Sequence, residues 1–287
     1  MLVKVSVYSG HVSEGFMEQA PLASVLTERW YMAPGVQRID IREKGVRGTL
    51  FIPTGQGPFP GLLDMWGGGG GLVEYRSALL ASHGYLSFAL EYFTPGELKS
   101  ADVELNLFET GFGILKDHPQ VIPDKVGIFG LSLGSIVTMY LAAESTVIKP
   151  RCCVCVSGSH GYPLGEPLRK VFELLLKNSH MVCLDENNYH IWREMGLVLT
   201  SDPSKKVNVG KINCPMLLVN GKDDQNWPTV ECAEDIAQMM QAAGKEHLLT
   251  RVQYPNTGHL IEPPYSPHFR ASTFIMDSTK DKATAIK

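Results

Sequence analysis

A serine in this chain has the neighbours that a catalytic nucleophile requires. Residues 126–134 form a short apolar run that ends in Gly-x-Ser-x-Gly around Ser132, and the helix-like residues 135–143 follow directly. A strand that reverses into a helix this quickly holds its serine in a strained turn, with the hydroxyl exposed at the carboxyl edge of the sheet. Side chains at Gly130 and Gly134 would collide with the neighbouring strand or helix. The pentapeptide also occurs in ordinary strand-to-helix turns, but its flanks favour a nucleophile elbow.

A nucleophilic serine needs a general base, and the base needs a carboxylate that orients it. Both are expected after later strands, in the order serine, acid, histidine. The strand-like residues 215–220 lead into Asp223 and Asp224, and the strand-like residues 249–254 lead into a loop with His259. We predict His259 as the base and Asp224 as the acid, with Asp223 as the rival because the mechanism defines roles and not residue numbers. Histidines in irregular polar stretches are interpreted as surface or hydrogen-bonded side chains: His160, His180, His190 and His268.

The same chemistry requires two backbone N–H groups that stabilise an oxyanion, and loss of one such donor typically costs ~3 kcal/mol or more. One donor is expected at Leu133, just after the serine, and the other in the loop behind an earlier strand. The glycine run 67–71 follows the strand-like residues 60–65, and we predict Gly68 and Gly69 as donors there. Consecutive glycines are costly in chain entropy and suit backbone that approaches a substrate closely. A flexible linker and a phosphate-binding loop are the alternatives, but low-complexity flanks and the Gly-Lys-Ser/Thr ending are both missing.

Composition predicts a globular enzyme domain. A chain of 287 residues can bury a full core, and a net charge of −4 argues against nucleic acid as the main partner. No apolar run approaches the ~18 residues of a membrane span, and the amino end has no secretory or transit pattern. The six cysteines have neither a disulfide framework nor metal-ligand spacing. We therefore expect reduced thiols in an intracellular compartment and no metal centre.

Strand and helix signals alternate along most of the chain. Strands are predicted at residues 36–41, 45–52, 61–65, 85–90, 125–129, 152–156, 216–220 and 249–254. Helices are predicted at residues 72–82, 103–116, 135–144, 166–177 and 230–243. This βαβ alternation predicts an α/β fold with a mainly parallel sheet and helices on both faces. The irregular residues 160–211 are interpreted as a cap insertion over the active site, with a structural excursion as the alternative.

Taken together, the chain resembles the type I acyl-CoA thioesterase and bile acid-CoA:amino acid N-acyltransferase family from about Glu28 onward. The supporting segments are residues 45–51, 58–61, 64–76, 130–134, 223–227 and 258–265. The resemblance implies an α/β-hydrolase domain that accepts an acyl group from coenzyme A thioesters. It also implies that Ser132, Asp224 and His259 match the family's catalytic triad. Coenzyme A is then part of the substrate, and no further cofactor is expected.

The elbow residue separates the family's two activities imperfectly. The bile acid conjugating enzyme resembles this chain but carries cysteine at the elbow, whereas the thioesterases carry serine. Ser132 therefore favours hydrolysis of fatty acyl-CoA to free acid and coenzyme A, because water readily attacks an acyl-serine ester behind a histidine base. Conjugation of the acyl group to glycine or taurine by the same triad is the alternative, since some serine-containing relatives are N-acyltransferases. A third hypothesis is a truncated, inactive acyl-CoA binding protein.

The chain departs from the family pattern at both ends. Residues 1–35 are expected to be the remnant of an amino-terminal β-sandwich domain with its linker. Residues 36–287 are expected to form the catalytic domain, with a truncated carboxyl end and a polar tail at 277–287. A Ser-Lys-Leu peroxisomal signal is missing, so we expect a cytoplasmic location. The residues do not determine acyl chain length or bile-acid preference, and they leave the oligomeric state unknown.

Overall fold

An eight-stranded sheet organises the described part of the chain. The computed structural model describes residues 2–11, 15, 18–94, 97–98, 103–164, 170, 173–174, 176–200, 202–262, 271–275 and 282–286. The strands of this sheet are β3 (Gln37–Glu43), β4 (Val46–Ile52), β5 (Phe59–Met65), β6 (Leu86–Glu91), β7 (Val121–Leu131), β8 (Cys153–Val156), β11 (Met216–Gly221) and β12 (Leu249–Tyr254). Three short antiparallel pairs lie outside it, namely β1 (Leu2–Val7) with β2 (Ala23–Glu28), β9 (Cys183–Leu184) with β10 (His190–Ile191), and β13 (Ala271–Ile275) with β14 (Lys282–Ile286).

The order across the large sheet is β12-β11-β8-β7-β5-β6-β4-β3. Strand β4 is antiparallel to both β3 and β6, and all other neighbours are parallel. All eight predicted strands are therefore confirmed, as is the mainly parallel sheet. Strand β7 begins at Val121, four residues before the predicted start at Lys125. The sequence 121–125 contains proline and charged residues, which concealed the strand, but Val121 pairs with Phe59 of β5.

The helices between the strands are α1 (Tyr75–Ser82), α2 (Leu105–Lys116), α3 (Leu133–Glu144), α4 (Arg193–Thr200) and α5 (Thr229–Ala242). Four of them confirm predicted helices with small shifts at their ends. The predicted helix at 166–177 lies largely outside the described residues. Helix α4 was not predicted; it has only eight residues, Gly196 lies within it, and one of its packing partners, Trp227, is distant in sequence.

Helices cover both faces of the sheet. Leu50 and Phe51 are adjacent in β4, so their side chains point to opposite faces. Leu50 belongs to a buried cluster with Phe108 of α2, whereas Phe51 packs with Ala78 of α1. The predicted arrangement of helices on both faces is therefore confirmed.

The amino-terminal hairpin of β1 and β2 exposes apolar side chains to solvent. Leu2, Val5, Val7, Val25 and Leu26 are all more than half exposed. This hairpin lies within residues 1–35, and their assignment as the remnant of a β-sandwich domain stays a prediction. Within residues 277–287, which were interpreted as the polar tail of a truncated carboxyl end, the described residues Lys282–Ile286 form β14 and pair with β13. The truncation stays a prediction. Cross-strand pairing thus gives extended structure to residues that lack a strong strand signal.

All six cysteines are free thiols, in line with the prediction of reduced cysteines. Two of them, Cys153 and Cys214, lie with their sulfur atoms 3.6 Å apart in a buried cluster between β8 and β11. None of the helices that the structure describes is long and apolar enough to cross a membrane.

Candidate active site

Ser132 occupies a one-residue turn between β7 and α3. Its backbone has φ 54° and ψ −117°, a conformation that is strained for any residue other than glycine. Such a residue typically costs ~1–3 kcal/mol and persists only where its surroundings enforce it. Here the N–H of Ser132 donates to the carbonyl of Val156 at 2.8 Å, and its own carbonyl accepts from Ser135 N–H at 3.0 Å. The neighbouring strand and the first turn of α3 therefore hold the serine in place.

The two glycines of the motif are required by packing. A β-carbon at Gly130 would lie 2.1 Å from the carbonyl oxygen of Gly134. One at Gly134 would lie 2.2 Å from the carbonyl oxygen of Met65 on β5. Both distances are far below van der Waals contact with backbone atoms. The predicted collisions are therefore confirmed, and they explain the spacing Gly-x-Ser-x-Gly.

A hydrogen-bonded chain joins Ser132, His259 and Asp224. The Nε2 atom of His259 lies 2.8 Å from Oγ of Ser132, and its Nδ1 atom lies 2.8 Å from Oδ2 of Asp224. Asp224 is 2% exposed and His259 is 3% exposed, so water screens their interaction little. The structure thus brings together the three side chains that were singled out from the sequence, in the geometry that nucleophilic catalysis by serine requires.

The two neighbouring aspartates have different surroundings. Oδ1 of Asp224 accepts hydrogen bonds from Asn226 N–H and Trp227 N–H, each at 2.9 Å. Its Oδ2 accepts from the hydroxyl of Thr229 at 3.2 Å in addition to its contact with His259. These hydrogen bonds fix the orientation of the Asp224 carboxylate. Asp223, the rival residue, is exposed and instead accepts a hydrogen bond from Gln225 Nε2 at 2.7 Å.

The acid and the histidine meet because two parallel strands end at the same level. Gly221 of β11 pairs with Tyr254 of β12, so the following loops lie side by side. A β-carbon at Gly221 would lie 2.0 Å from the carbonyl oxygen of Thr257, and that oxygen accepts from Asp223 N–H at 3.0 Å. Gly221 is therefore a positioning residue that the sequence reasoning missed.

The glycine run lies beside the serine, as the sequence predicted. The glycine that contacts Ser132 is Gly67, where a β-carbon would lie 3.0 Å from the β-carbon of the serine. Gly67 was not in the predicted pair, whereas a side chain added at Gly68 would meet no atom within 4 Å. The roles of Gly68, Gly69 and Leu133 in an oxyanion hole stay predictions. Leu133 is the first residue of α3, where a backbone N–H has no partner within the helix.

Part of segment 160–211 packs against the loop that carries the acid. The N–H groups of Trp192 and Arg193 donate to the carbonyl of Gln225 at 2.9 and 3.1 Å. Met195 is buried against Trp227, two residues beyond that carbonyl. These contacts place α4 next to the Asp224 loop, and its role as a cap stays a prediction.

Of the four histidines interpreted as surface or hydrogen-bonded side chains, His160 and His180 have such surroundings, whereas Nδ1 of His190 is buried and has no hydrogen-bond partner among the described residues. His160 is 1% exposed, and its Nε2 atom lies 2.7 Å from Oδ2 of Asp235. His180 is exposed and His190 is half-buried. His268 lies outside the described residues. Among the side chains that the structure describes, no group of three or more His, Cys, Asp or Glu residues is arranged to hold a metal ion.

Comparison with known proteins gives one family. The BAAT / acyl-CoA thioester hydrolase C-terminal family matches residues 103–280. The bile acid-CoA:amino acid N-acyltransferase of Mus musculus is 37% identical over 88% of this chain and 60% of its own length. The peroxisomal succinyl-coenzyme A thioesterase of Mus musculus is 36% identical over 94% of this chain and 64% of its own length. The chain thus spans somewhat less than two thirds of these relatives.

Solved structures show the same fold at low identity. An α/β hydrolase enzyme from a Medee basin deep-sea metagenome library superposes with a TM-score of 0.52 and 18% identity, covering 78% of this chain and 83% of that one. An acylaminoacyl peptidase in complex with Z-Gly-Gly-Phe-chloromethyl ketone superposes with a TM-score of 0.52 and 15% identity. The match covers 78% of this chain and 37% of that one. The chain therefore has the α/β-hydrolase fold, as expected.

Proposed function

Because the chain belongs to the BAAT / acyl-CoA thioester hydrolase family, we propose that it is a serine acyl-CoA thioesterase. It would hydrolyse fatty acyl-CoA to free acid and coenzyme A, with Ser132, His259 and Asp224 as its catalytic triad. The observation that carries this proposal is the hydrogen-bonded chain from the serine hydroxyl through the imidazole to a buried carboxylate.

In the acylation step, Oγ of Ser132 attacks the thioester carbonyl while Nε2 of His259 accepts the hydroxyl proton. The imidazolium that forms carries its positive charge beside Asp224, whose carboxylate holds the Nδ1–H proton and stabilises the charge. The tetrahedral intermediate then collapses and the C–S bond breaks. His259 returns the proton to the sulfur, so coenzyme A leaves as a thiol and the acyl group stays on Ser132 as an ester.

In the deacylation step, water takes the place that the thiol has left. The water oxygen attacks the ester carbonyl while His259 accepts a proton from the water. The C–O bond to Ser132 then breaks. The serine oxygen regains the proton and the free acid is released. In both steps the oxyanion would be stabilised by Leu133 N–H and by a second N–H from the glycine run, where we predicted Gly68 and Gly69.

Amide formation is the second candidate, because an N-acyltransferase and a thioesterase match this chain at nearly equal identity, 37% and 36%. An amine in place of water in the second step would give an acyl-amino acid. The serine nucleophile favours hydrolysis, since water attacks an acyl-serine ester readily.

Product analysis tests the proposal. Purified protein is incubated with fatty acyl-CoA, with and without glycine or taurine, and free coenzyme A, free acid and amide are quantified by mass spectrometry. We expect free acid in molar equivalence to coenzyme A, whether or not amine is present. Amide as the main product would replace the thioesterase proposal with the N-acyltransferase. Binding of acyl-CoA without either product would support an inactive binding protein. The Ser132→Ala variant is the matched control for background hydrolysis.

A further inference from the structure

The backbone that leads into the glycine run has a defined orientation next to Ser132. A β-carbon at Gly134 would lie 2.2 Å from the carbonyl oxygen of Met65 and 2.6 Å from that of Trp66, so both carbonyls face the first turn of α3. The C=O and N–H of a trans peptide point in opposite directions. The N–H of Gly67, which shares a peptide plane with the Trp66 carbonyl, therefore points away from α3. Gly67 itself lies against Ser132, because a β-carbon added at Gly67 would lie 3.0 Å from the β-carbon of the serine and 3.5 Å from its Oγ.

Buried side chains donate to both of these carbonyls. Arg76 Nη2 donates to the Met65 carbonyl at 2.9 Å, and the Tyr92 hydroxyl donates to the Trp66 carbonyl. Arg76 is held in turn by the buried Asp64, to which its Nε donates at 2.8 Å. The two peptide planes that precede the glycine run are thus each fixed by a hydrogen bond from a side chain distant in sequence.

The hydroxyl of Tyr92 is suited to this task. Tyr92 is 3% exposed, and its ring lies 5.4 Å from that of Phe108 between centroids. Burial raises the pKa of the Tyr92 hydroxyl, so the group is a protonated donor at neutral pH. The next residue, Phe93, accepts a hydrogen bond from Gly71 N–H at 2.7 Å. Residues 92 and 93 therefore hold the glycine run at both of its ends.

We propose that the N–H of Gly67 is the second oxyanion donor and that Tyr92 is its positioning residue. Glycine imposes little preference on its own peptide planes, so the segment needs an external restraint to keep one N–H directed at the reacting carbonyl. The Tyr92 hydroxyl supplies that restraint through the Trp66 carbonyl. This inference rests on the proposed role of Ser132 as an acyl-accepting nucleophile, and it assigns to Gly67 the role predicted for Gly68 or Gly69.

The variant Tyr92→Phe tests the inference. It keeps the ring and its contact with Phe108 and removes only the hydroxyl. We expect kcat to fall about tenfold to a hundredfold with KM within twofold of wild type, because the restraint acts on transition-state stabilisation. The affinity for an alkyl boronic acid, whose serine adduct places an oxygen in the oxyanion hole, should fall by a similar factor. The matched control Tyr140→Phe, at a half-buried tyrosine that packs on Tyr162, should change neither quantity.

Two further measurements separate this inference from packing and from the proposed function. Phe108→Leu disturbs the same ring contact but keeps the Tyr92 hydroxyl. It should therefore lower the midpoint of thermal unfolding, while its kcat should fall less than that of Tyr92→Phe. A fluorophosphonate probe reports on Ser132 without any acyl-CoA, and its labelling rate should also fall in Tyr92→Phe. Wild-type protein could be labelled faster than Tyr92→Phe and yet cleave no acyl-CoA. That result would refute the thioesterase proposal and leave the inference about Gly67 and Tyr92 standing. Labelling and boronic acid affinity that are unchanged in Tyr92→Phe would overturn the inference.

Discussion

Ser132 and His259 share one proton in the proposed reaction, and this predicts how their substitutions combine. Ser132→Ala should reduce thioesterase turnover by roughly 10⁴-fold or more, since the loss of a triad nucleophile leaves only binding and oxyanion stabilisation. His259→Ala should be nearly as severe, and the double variant should be no worse than Ser132→Ala alone. Steady-state release of coenzyme A measures all three rates.

Acyl-CoA affinity is the control for this series, because Ser132→Ala removes one hydroxyl and little packing. Equilibrium binding of a non-hydrolysable acyl-CoA thioether should therefore stay within a few fold of wild type. Ser132→Ala protein that retains most of the wild-type turnover would show that another residue is the nucleophile.

The two adjacent aspartates provide a matched pair. Asp224→Asn should lower kcat by about 10³–10⁴-fold with little change in KM. The amide oxygen would keep the N–H donors of Asn226 and Trp227, so the NH2 group would face Nδ1 of His259, favour the wrong tautomer and leave the imidazolium without a negative partner. Asp223→Asn should change kcat less than threefold, since its carboxylate is exposed and contacts Gln225 rather than the histidine. Steady-state kinetics of both variants show which aspartate is the acid of the triad. If Asp223→Asn had the larger effect, the acid would have been assigned to the wrong residue.

Replacement of the nucleophile's oxygen by sulfur should shift the choice between water and amine. A thioester intermediate is relatively more reactive toward nitrogen than toward water, and His259 remains in place to deprotonate an amine. We therefore expect Ser132→Cys to hydrolyse acyl-CoA more slowly than wild type and to give a higher ratio of amide to free acid when glycine or taurine is present. Quantification of both products by mass spectrometry measures the ratio. A ratio equal to that of wild type would show that the second substrate is selected elsewhere in the site.

The turn between β7 and α3 depends on close packing between backbone atoms. Gly134→Ala would place a methyl group 2.2 Å from the Met65 carbonyl oxygen, so we expect a loss of ~1–3 kcal/mol or more in unfolding free energy. Gly113→Ala is the matched control, because Gly113 lies within α2 and a β-carbon there meets no atom within 4 Å. That variant should gain ~0.5–1 kcal/mol from the higher helix propensity of alanine. Urea denaturation measures both, and a stable, active Gly134→Ala would contradict the packing argument.

Proton binding to one buried histidine should make the stability of the whole domain depend on pH. His160 is buried, and its neighbours Asp235 and Lys206 form an ion pair of 2.5 Å beside it. Burial, the largest influence, lowers the pKa of His160, although Asp235 opposes the shift. Near pH 6.5 and just below it, the unfolded chain therefore binds more protons at this residue than the folded protein does. The contribution of His160 is full above that pH and is lost as the pH falls toward the folded pKa.

We expect unfolding free energy to decrease as the pH falls below about 6.5, with a slope from this residue of at most ~1.4 kcal/mol per pH unit. Urea denaturation between pH 5 and 7.5 measures it. His160→Gln should flatten the dependence over this range, whereas the exposed His180→Gln should leave it as in wild type. Burial also lowers the pKa of His118, so this residue makes stability fall with pH in the same direction as His160 does. Its contribution persists in both variants. An unchanged slope in His160→Gln would assign the dependence to other groups.

Local patterns in the chain were sufficient to predict the elements of the sheet and the residues that line its carboxyl edge. Apolar runs of strand length, the Gly-x-Ser-x-Gly turn and two strand-exit loops are encoded within a few residues each. For this reason all eight sheet strands and the positions of Ser132 and His259 could be read directly, and Asp223 and Asp224 could be identified as the two candidates for the acid. Parallel strands end at one edge, so these loops had to meet.

Other features depend on contacts between residues far apart in sequence, which no local pattern encodes. Asp224 rather than Asp223 reaches His259 because the N–H of Asp223 donates to the carbonyl of Thr257, which sets this loop against the one that carries the histidine. In the same way, Gly67 is the glycine that touches Ser132 because β5 and β7 are neighbours in the sheet. Five identical glycines carry no signal that distinguishes one from the next. Their individual positions follow from packing, and packing exists only once the strands have assembled.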